Sequence, residues 1–522
     1  MVSTKKIWIR FIASIFLVVI YILFFSFWVK NQQPIKNYII LGAFLFNYLV
    51  SIILANYIIS SKRYESFKSL WILWIILIPF LGQTLFVYFG VSGIRRRSLA
   101  EYRHDLKQFN QYEDFSDFEK IKLDSNNKKM PLVFEYLNQA CDRPVYQNND
   151  VKFLAKPHQS LLEIIKTLQQ AEKFIHLEYY QIHPGLVWDA IFDILKTKIK
   201  QGVEVRIIVD YIGAFNKWSK KKLAAIRDAG IEIYYFNGFH YWKTFSLLNF
   251  RCHKKVLIVD NKYAIYGSAN ISDCYFNISK DKFPLNDYCY YLEGPIVNSL
   301  NLLFAYDWNF HCGNLLTNNT LINHPEKYFQ IYRPTNNQNN MIMQFAESGP
   351  DVNEKIFVNN LNQIILQAKS KIEIATPYFF PNSSIINSLK IAADSGIKIK
   401  LIFPREPDHT KVVLSMNRFY YETLLESGIE IYEYYGFNHE KITVVDEKLV
   451  YTGTYNWDFR SLFLNYETVL LIYSKKMAAI HSQAFHERIA KSQKIDFSTI
   501  KRWKNWRQKF FIFCLKLVFP LI

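Results

Sequence analysis

Two stretches of this sequence carry the same chemistry-bearing residues at the same spacing. The first reads His253-x-Lys255-x4-Asp260-x6-Gly267-Ser268-x-Asn270, and the second reads His439-x-Lys441-x4-Asp446-x6-Gly453-Thr454-x-Asn456. With each fixed residue at about one in twenty, a single chance match has odds on the order of one in 10⁵. Two in register exclude coincidence. Histidine serves both as a nucleophile and as a proton carrier near neutral pH. A pair of them permits a two-step displacement at phosphorus. One imidazole attacks and forms a phosphohistidine, while the other protonates the leaving alcohol and later deprotonates the acceptor. Lys255 and Lys441 would stabilise charge on the phosphoryl oxygens, with Ser268, Asn270, Thr454 and Asn456 as small donors suited to the same oxygens. The lysines supply the positive charge, so neither a metal nor another cofactor is required.

Such residues need elements that aim them together. Val256-Leu-Ile-Val259 and Ile442-Thr-Val-Val445 read as buried strands. Positions i and i+2 of a strand share a face, so each His points with its Lys. The Asp, seven residues on, has the opposite parity and falls at the strand end, which suits a structural or orienting role.

The motifs close a longer repeat. Phe174-Ile-His-Leu-Glu-Tyr-Tyr180 and Ile372-Glu-Ile-Ala-Thr-Pro-Tyr378 each precede a helical stretch and a second β-rich run, and the pentapeptide GIEIY follows at 230–234 and 428–432. Two homologous βαβ halves, 150–330 and 340–500, are the simplest account. An aromatic-rich insertion, 236–250, lengthens the first half.

The 522 residues hold 63 basic and 45 acidic side chains, a formal charge of +18, with half the chain hydrophobic. That apolar content excludes a mostly disordered protein, and six cysteines without a CxxC pair exclude a disulfide scaffold and offer no zinc site. Three runs lack any charge: 11–29, 37–61 and 69–94. A membrane span needs about 20 apolar residues to cross about 30 Å of hydrocarbon, so all three qualify by length. The first is too long for a signal peptide and lacks a cleavage site, which marks it as an uncleaved anchor. Pro79 and Gly82 can kink the third run or turn it into a re-entrant segment. Basic residues flank the loops on both sides and do not choose a topology.

At this point a family resemblance enters. The sequence resembles the phospholipase D superfamily with its paired HKD motifs, and within it the bacterial cardiolipin synthases. Trp71 through Pro79, Gly82 and Tyr88-Phe-Gly90 followed by Arg95-Arg-Arg97 resemble that family's amino-terminal membrane module. Leu177-Glu-Tyr-Tyr180, Ser348-Gly-Pro-Asp351, Thr376-Pro-Tyr-Phe-Phe-Pro381, Asp458-Phe-Arg-Ser461 and Asn465-Tyr-Glu467 match its pattern too. The resemblance implies an α/β fold of two phospholipase D-like halves packed face to face, preceded by a helical membrane region (1–94) and a basic linker (95–149). It implies conversion of two phosphatidylglycerol molecules into cardiolipin and glycerol through a phosphatidyl-histidine, without metal. Its catalytic set falls on His253, Lys255, Asp260, His439, Lys441 and Asp446, with His253 as nucleophile by analogy. Asp287 and Glu467 become candidates to orient the histidines through Nδ1. The implied setting is a multi-pass bacterial cell-membrane protein whose catalytic halves face the cytoplasm. There are departures: Cys252 and Lys254 stand where the family usually has Asn and Arg, Gly267-Ser268 replaces Gly-Gly, and Leu285-Asn-Asp-Tyr-Cys289 replaces Trp-Arg-Asp-x-His. The thiol of Cys252 reads as buried and inert.

The charge can be placed. Residues 1–105 carry +9 and 501–522 carry +6, leaving +3 on the 395 residues between. A nucleic-acid enzyme would put its excess on the catalytic body. Here the excess flanks the apolar runs and fills a basic, aromatic tail (501–522), where anionic lipid headgroups would lie. The expected partners are phosphatidylglycerol and anionic membrane lipids, and no nucleic acid. A hydrolase or headgroup-exchanging phosphatidyltransferase is the alternative, since the motifs do not fix the acceptor, and a nuclease stands behind it.

Overall fold

The computed structural model describes residues 34–61, 65–90, 109–117, 132–214, 217–237, 250–279, 285–309, 320–334, 341–350, 355–406 and 411–503. The first apolar run (11–29), the basic cluster Arg95–Arg97, the body of the aromatic insertion and the tail beyond Trp503 lie outside these residues. The chain divides into two compact units, one of Met1–Arg95 with Phe239–Asn249 and Phe513–Ile522, the other of Arg96–Gly238 with Phe250–Ile512.

In the first unit, α1 (Pro34–Ile59) contains Leu41–Ile59, which is the one helix among the described residues long and apolar enough to cross a membrane. The third apolar run does not form a straight span. It breaks at Ile78 into α2 (Glu65–Leu77) and α3 (Pro79–Leu85), because proline cannot continue the helical hydrogen-bond ladder. Gly82 then lies against the Trp74 carbonyl, where a Cβ would approach to 2.3 Å. Ile58, Trp71, Ile75 and Phe86 form the apolar centre. A polar clasp ties it: Gln83 Nε2 donates to Asn47 Oδ1 at 2.8 Å and Ser51 Oγ at 2.9 Å, and Ser51 donates to the Ile75 carbonyl. Leu45, Phe46, Ile52 and Ile53 of α1 are exposed.

The second unit is built on one mixed sheet of 15 strands. Its first half uses β1 (Val145–Leu154), β2 (Phe174–Tyr179), β3 (Glu204–Asp210), β4 (Glu232–Phe236), β5 (Lys255–Val259), β6 (Tyr263–Gly267) and β8 (Cys289–Glu293), with the short β7 (Leu285–Asn286) outside it. The second half uses β9 (Met341–Ser348), β10 (Lys371–Ala375), β12 (Lys398–Pro404), β13 (Glu430–Tyr434), β15 (Ile442–Val445), β16 (Leu449–Gly453), β18 (Glu467–Tyr473) and β19 (Ser492–Ile495). The short β11 (Phe379–Phe380), β14 (Phe437–Asn438) and β17 (Trp457–Asp458) complete it.

The sequence repeat is a topological repeat. Parallel β2–β3–β4 corresponds to parallel β10–β12–β13, and antiparallel β5, β6 and β8 correspond to β15, β16 and β18. Helices α4 (Leu186–Lys200), α5 (Lys220–Asp228) and α6 (Ser383–Asp394) supply crossovers that parallel strands require. Gly230 and Gly428, which open the two GIEIY segments, sit at φ +90° and +77°, a turn that a residue with a Cβ enters only under strain.

The halves meet in two ways. They join edge to edge, because β1 pairs antiparallel with β9 and the sheet runs through both. They also touch across the middle: Tyr266 donates to Thr468 at 3.1 Å, and the Tyr288 hydroxyl lies 2.5 Å from Thr452. The two homologous halves therefore share one continuous sheet whose inner strands are cross-linked.

At Gly267 and Gly453 the neighbouring strand comes too close for a Cβ. A Cβ at Gly453 would stand 2.2 Å from the Thr468 carbonyl oxygen, and one at Gly267 2.6 Å from that of Tyr288. Backbone cannot yield as a side chain does, so Gly453→Ala is expected to cost about 1–3 kcal/mol, read as a lowered thermal midpoint in detergent. An unchanged midpoint would contradict this packing.

Candidate active site

The residues before β5 and β15 place the two histidines. His253 N donates to the Tyr466 carbonyl at 2.9 Å, and His439 N to the Asn286 carbonyl at 2.8 Å. Each anchor belongs to the opposite half, and each anchoring residue immediately precedes a carboxylate. Those carboxylates hold the imidazoles. His253 Nδ1 lies 2.9 and 3.0 Å from the oxygens of Glu467 on β18, and His439 Nδ1 lies 2.7 Å from Asp287 Oδ2, between β7 and β8. The halves thus exchange their orienting acids.

Glu467 is held in turn by Thr454 Oγ1 at 2.6 Å, Ser461 Oγ at 2.7 Å and Asn465 Nδ2 at 3.1 Å. Asp287 accepts from Ser268 Oγ and from the Tyr288 N–H. A hydroxyl has one hydrogen to give, and those of Ser268 and Thr454 are given to the carboxylates. Both hydroxyls thus serve the acids that hold the imidazoles. Asn270 accepts the Gln181 N–H through Oδ1, and Asn456 Oδ1 is buried without a hydrogen-bond partner among the described residues.

Asp260 and Asp446 stand apart from the imidazoles. Asp260 accepts the N–H groups of Glu172, Lys173 and Phe174 at 2.7–2.9 Å, and Asp446 those of Lys369, Ser370 and Lys371 at 2.8–3.1 Å. Both sit at φ above +50° in the turn after the motif strand and tie it to the start of β2 or β10. These contacts are structural ones, in keeping with the strand parity read from the spacing.

Burial sets the ionisation of the site. Burial lowers His253 to about 4, helped by the charges of Lys255 and Lys441 and opposed by Glu467. Glu467 is buried too, yet its pKa falls, because His253, Lys255 and the Thr454 hydroxyl outweigh desolvation. A neutral imidazole facing an ionised carboxylate keeps its proton on Nδ1, which leaves the Nε2 lone pair for attack. Burial, with the charge of Lys441, also lowers Lys255 to about 7, against the attraction of Glu467. Lys255 Nζ donates to the His253 carbonyl at 2.5 Å, while Lys441 Nζ lies 2.9 Å from the His439 carbonyl and 3.0 Å from His439 Nε2.

Several contributors escaped sequence reasoning. Tyr180 and Tyr275 stand edge-on to His253 and His439, with ring centroids 5.2 and 5.4 Å away. The residue between each His and Lys faces the opposite side and carries a buried ion pair: Lys254 with Asp307 and Glu178, Glu440 with Arg488 at 2.6 Å. Strand parity was the signal for that pair. Cys252 is buried, donates to Glu178 at 3.1 Å, and burial holds its thiol well above the usual range.

The site and fold define a duplicated phospholipase D-like protein. A family model described as cardiolipin synthase, PLD-like domain, matches residues 164–282 and 361–489. A cardiolipin synthase of Alkalihalophilus pseudofirmus is 30% identical over 463 residues, covering 87% of this chain and 89% of the relative. One of Clostridium perfringens is 32% identical over 441 residues, covering 83% and 89%. Among solved structures, a phosphatidylserine synthase of Haemophilus influenzae shares the fold at a TM-score of 0.55 and 16% identity, covering 75% of this chain and 99% of that one. The chain belongs to the cardiolipin synthase family.

Two measurements test this geometry. The lowered pKa of His253 keeps its lone pair free above about pH 4, and the lowered pKa of Lys255 keeps its charge only below about pH 7. In the free enzyme kcat/KM should therefore fall as pH drops through about 4 and again as it rises through about 7, and a flat profile would contradict the assignment. Glu467→Gln removes the charge on the acceptor and can turn an N–H toward Nδ1, which releases the His253 tautomer. It should lower kcat by about 100-fold or more with little change in KM.

Proposed function

We propose that the protein transfers a phosphatidyl group from one phosphatidylglycerol to another, giving cardiolipin and glycerol. One observation carries the reading: two imidazoles, each held at Nδ1 by a carboxylate from the other half. In the first step the Nε2 of one histidine forms a bond to phosphorus as the phosphorus–oxygen bond to glycerol breaks. The second histidine gives its proton to the departing glycerol oxygen. That histidine then takes the proton of a hydroxyl on the second phosphatidylglycerol, whose oxygen displaces the histidine from phosphorus. The low pKa of His253 suits it to the attacking role. Lys255, Lys441 and the amides of Asn270 and Asn456 face the phosphoryl oxygens, while Asp287 and Glu467 hold the rings.

The membrane setting follows the same reading. Residues 1–94 anchor the protein by more than one crossing in a bacterial cell membrane, 95–149 link them to two phospholipase D-like halves (150–330 and 340–500) facing the cytoplasm, and the basic tail (501–522) meets anionic lipid. The charge of +18, concentrated at the two ends of the chain, supports this over a nucleic-acid partner.

Purified protein in detergent is expected to convert phosphatidylglycerol into cardiolipin with release of one glycerol per product. His253→Ala should abolish the reaction, and acid-quenched wild type should carry a phosphatidyl adduct on histidine. Release of phosphatidic acid instead, or transfer only to added small alcohols, would replace the proposal with a hydrolase or a headgroup exchanger.

A further inference from the structure

The two motifs are anchored alike along the backbone and differently on their reverse face. Each histidine N–H bonds to the residue before the acid of the other half, Tyr466 for His253 and Asn286 for His439. On the His253 side, the reverse-face residue Lys254 turns to Asp307 and Glu178 of its own half and meets Tyr466 only as a ring 6.0 Å away. On the His439 side, the reverse-face residue Glu440 meets Arg488 of α7 (Lys475–Ile489) at 2.6 Å. The same guanidinium nitrogen, Nη2, donates to Asn286 Oδ1 at 3.2 Å. One buried cation therefore holds both the motif strand of the second half and the segment of the first half that carries Asp287.

Asn286 is the meeting point of these contacts. Its Oδ1 accepts from Arg488, its Nδ2 donates to Asn438 Oδ1 at 2.6 Å, and its carbonyl accepts the His439 N–H at 2.8 Å. The next residue is Asp287, whose Oδ2 lies 2.7 Å from His439 Nδ1. Around it β7 and β14 pair in parallel, with Asn438 opposite Asn286. Each of these strands has only two residues, so their own ladder adds little to hold that register. Arg488 is itself fixed, because its Nη1 donates to the Ala484 carbonyl at 2.8 Å, one helical turn earlier. Burial pushes the Glu440 carboxyl up and Arg488 opposes it, so the ion pair on the reverse face and the bond to Asn286 depend on one side chain.

We propose that Arg488 is a positioning residue for His439: by bridging Glu440 and Asn286 it sets the Asp287–His439 hydrogen bond, and with it the proton delivered to the leaving glycerol oxygen. The inference rests on the phosphatidyl-transfer reading, with His253 attacking and His439 carrying the proton. Arg488 acts through geometry, from the face of the strand away from the imidazole. A carboxylate that slips from Nδ1 no longer orients the ring or supports the imidazolium, and an acid out of line with the leaving oxygen transfers its proton slowly. In the first step the bond from His253 Nε2 to phosphorus forms, the phosphorus–oxygen bond to glycerol breaks, and the His439 proton goes to that oxygen. A leaving group that is stable as an anion needs no such proton.

Two donors given to the same full-length enzyme in detergent separate this role from a purely structural one. The paired exchange Arg488→Met with Glu440→Gln removes both members of the ion pair, so that neither charge is left buried alone. With phosphatidylglycerol as donor, it should slow glycerol release about tenfold or more, and Asn286→Ala should do the same. With phosphatidyl-p-nitrophenol as donor, the first burst of p-nitrophenolate should change less than about threefold in either variant, since that anion leaves unprotonated. Arg488→Lys keeps a cation with several N–H donors between Glu440 and Asn286 and should recover most of the glycerol release. Equal losses with both donors, or no loss with either, overturn the positioning role and leave phosphatidyl transfer standing. Wild-type enzyme that gives the nitrophenolate burst yet forms no cardiolipin from phosphatidylglycerol overturns the functional reading itself.

Discussion

Everything at the centre of this protein depends on two hydrogen bonds that cross between its halves. Glu467 of the second half holds His253 of the first, and Asp287 of the first holds His439 of the second. Neither half alone contains a histidine with its acid. The backbone enforces the same exchange, because each histidine N–H bonds to the residue just before the opposite acid. A continuous sheet joined through β1 and β9, cross-linked by Tyr266 and Tyr288, is what keeps both bonds short at once. The site is thus a property of the assembled pair, and duplication without that docking would leave two inert motifs.

Burial of charge has been solved in three ways in the same body. Lys254 and Glu440, on the reverse face of the motif strands, are paired with acids or with Arg488, so they fasten the strand without disturbing the pocket. Glu178, beside Lys254, is pushed up to about 8 by burial and by Asp307, so the cluster keeps a proton and avoids two uncompensated carboxylates. The active-site face is different. There burial pulls His253 and Lys255 toward their neutral forms. Such shifts cluster at functional sites.

On the proposed membrane reading, the amino-terminal unit meets a different constraint. In hydrocarbon, an apolar side chain gains little by touching another, so polar contacts and close packing must hold helices together. The Gln83–Asn47–Ser51 clasp and the approach of Gly82 to the Trp74 backbone are contacts of that sort. The outward Leu45, Phe46, Ile52 and Ile53 have the character of a lipid-facing surface.

Much of this was written in the sequence. Spacing showed that His and Lys share a strand face and that Asp260 and Asp446 do not, because strand parity is local. The repeat announced two halves, and composition placed the charge at the chain ends. Pro79 and Gly82 signalled that the third apolar run would bend. Other features were beyond its reach. Glu467 is 214 residues from His253 and Asp287 is 152 from His439, and no local pattern says which acid serves which ring. Nor could it say that the Ser268 and Thr454 hydroxyls would be taken by those acids. A strand fixes the direction of a side chain through its own backbone, whereas a partner across the sheet is decided only when the halves dock.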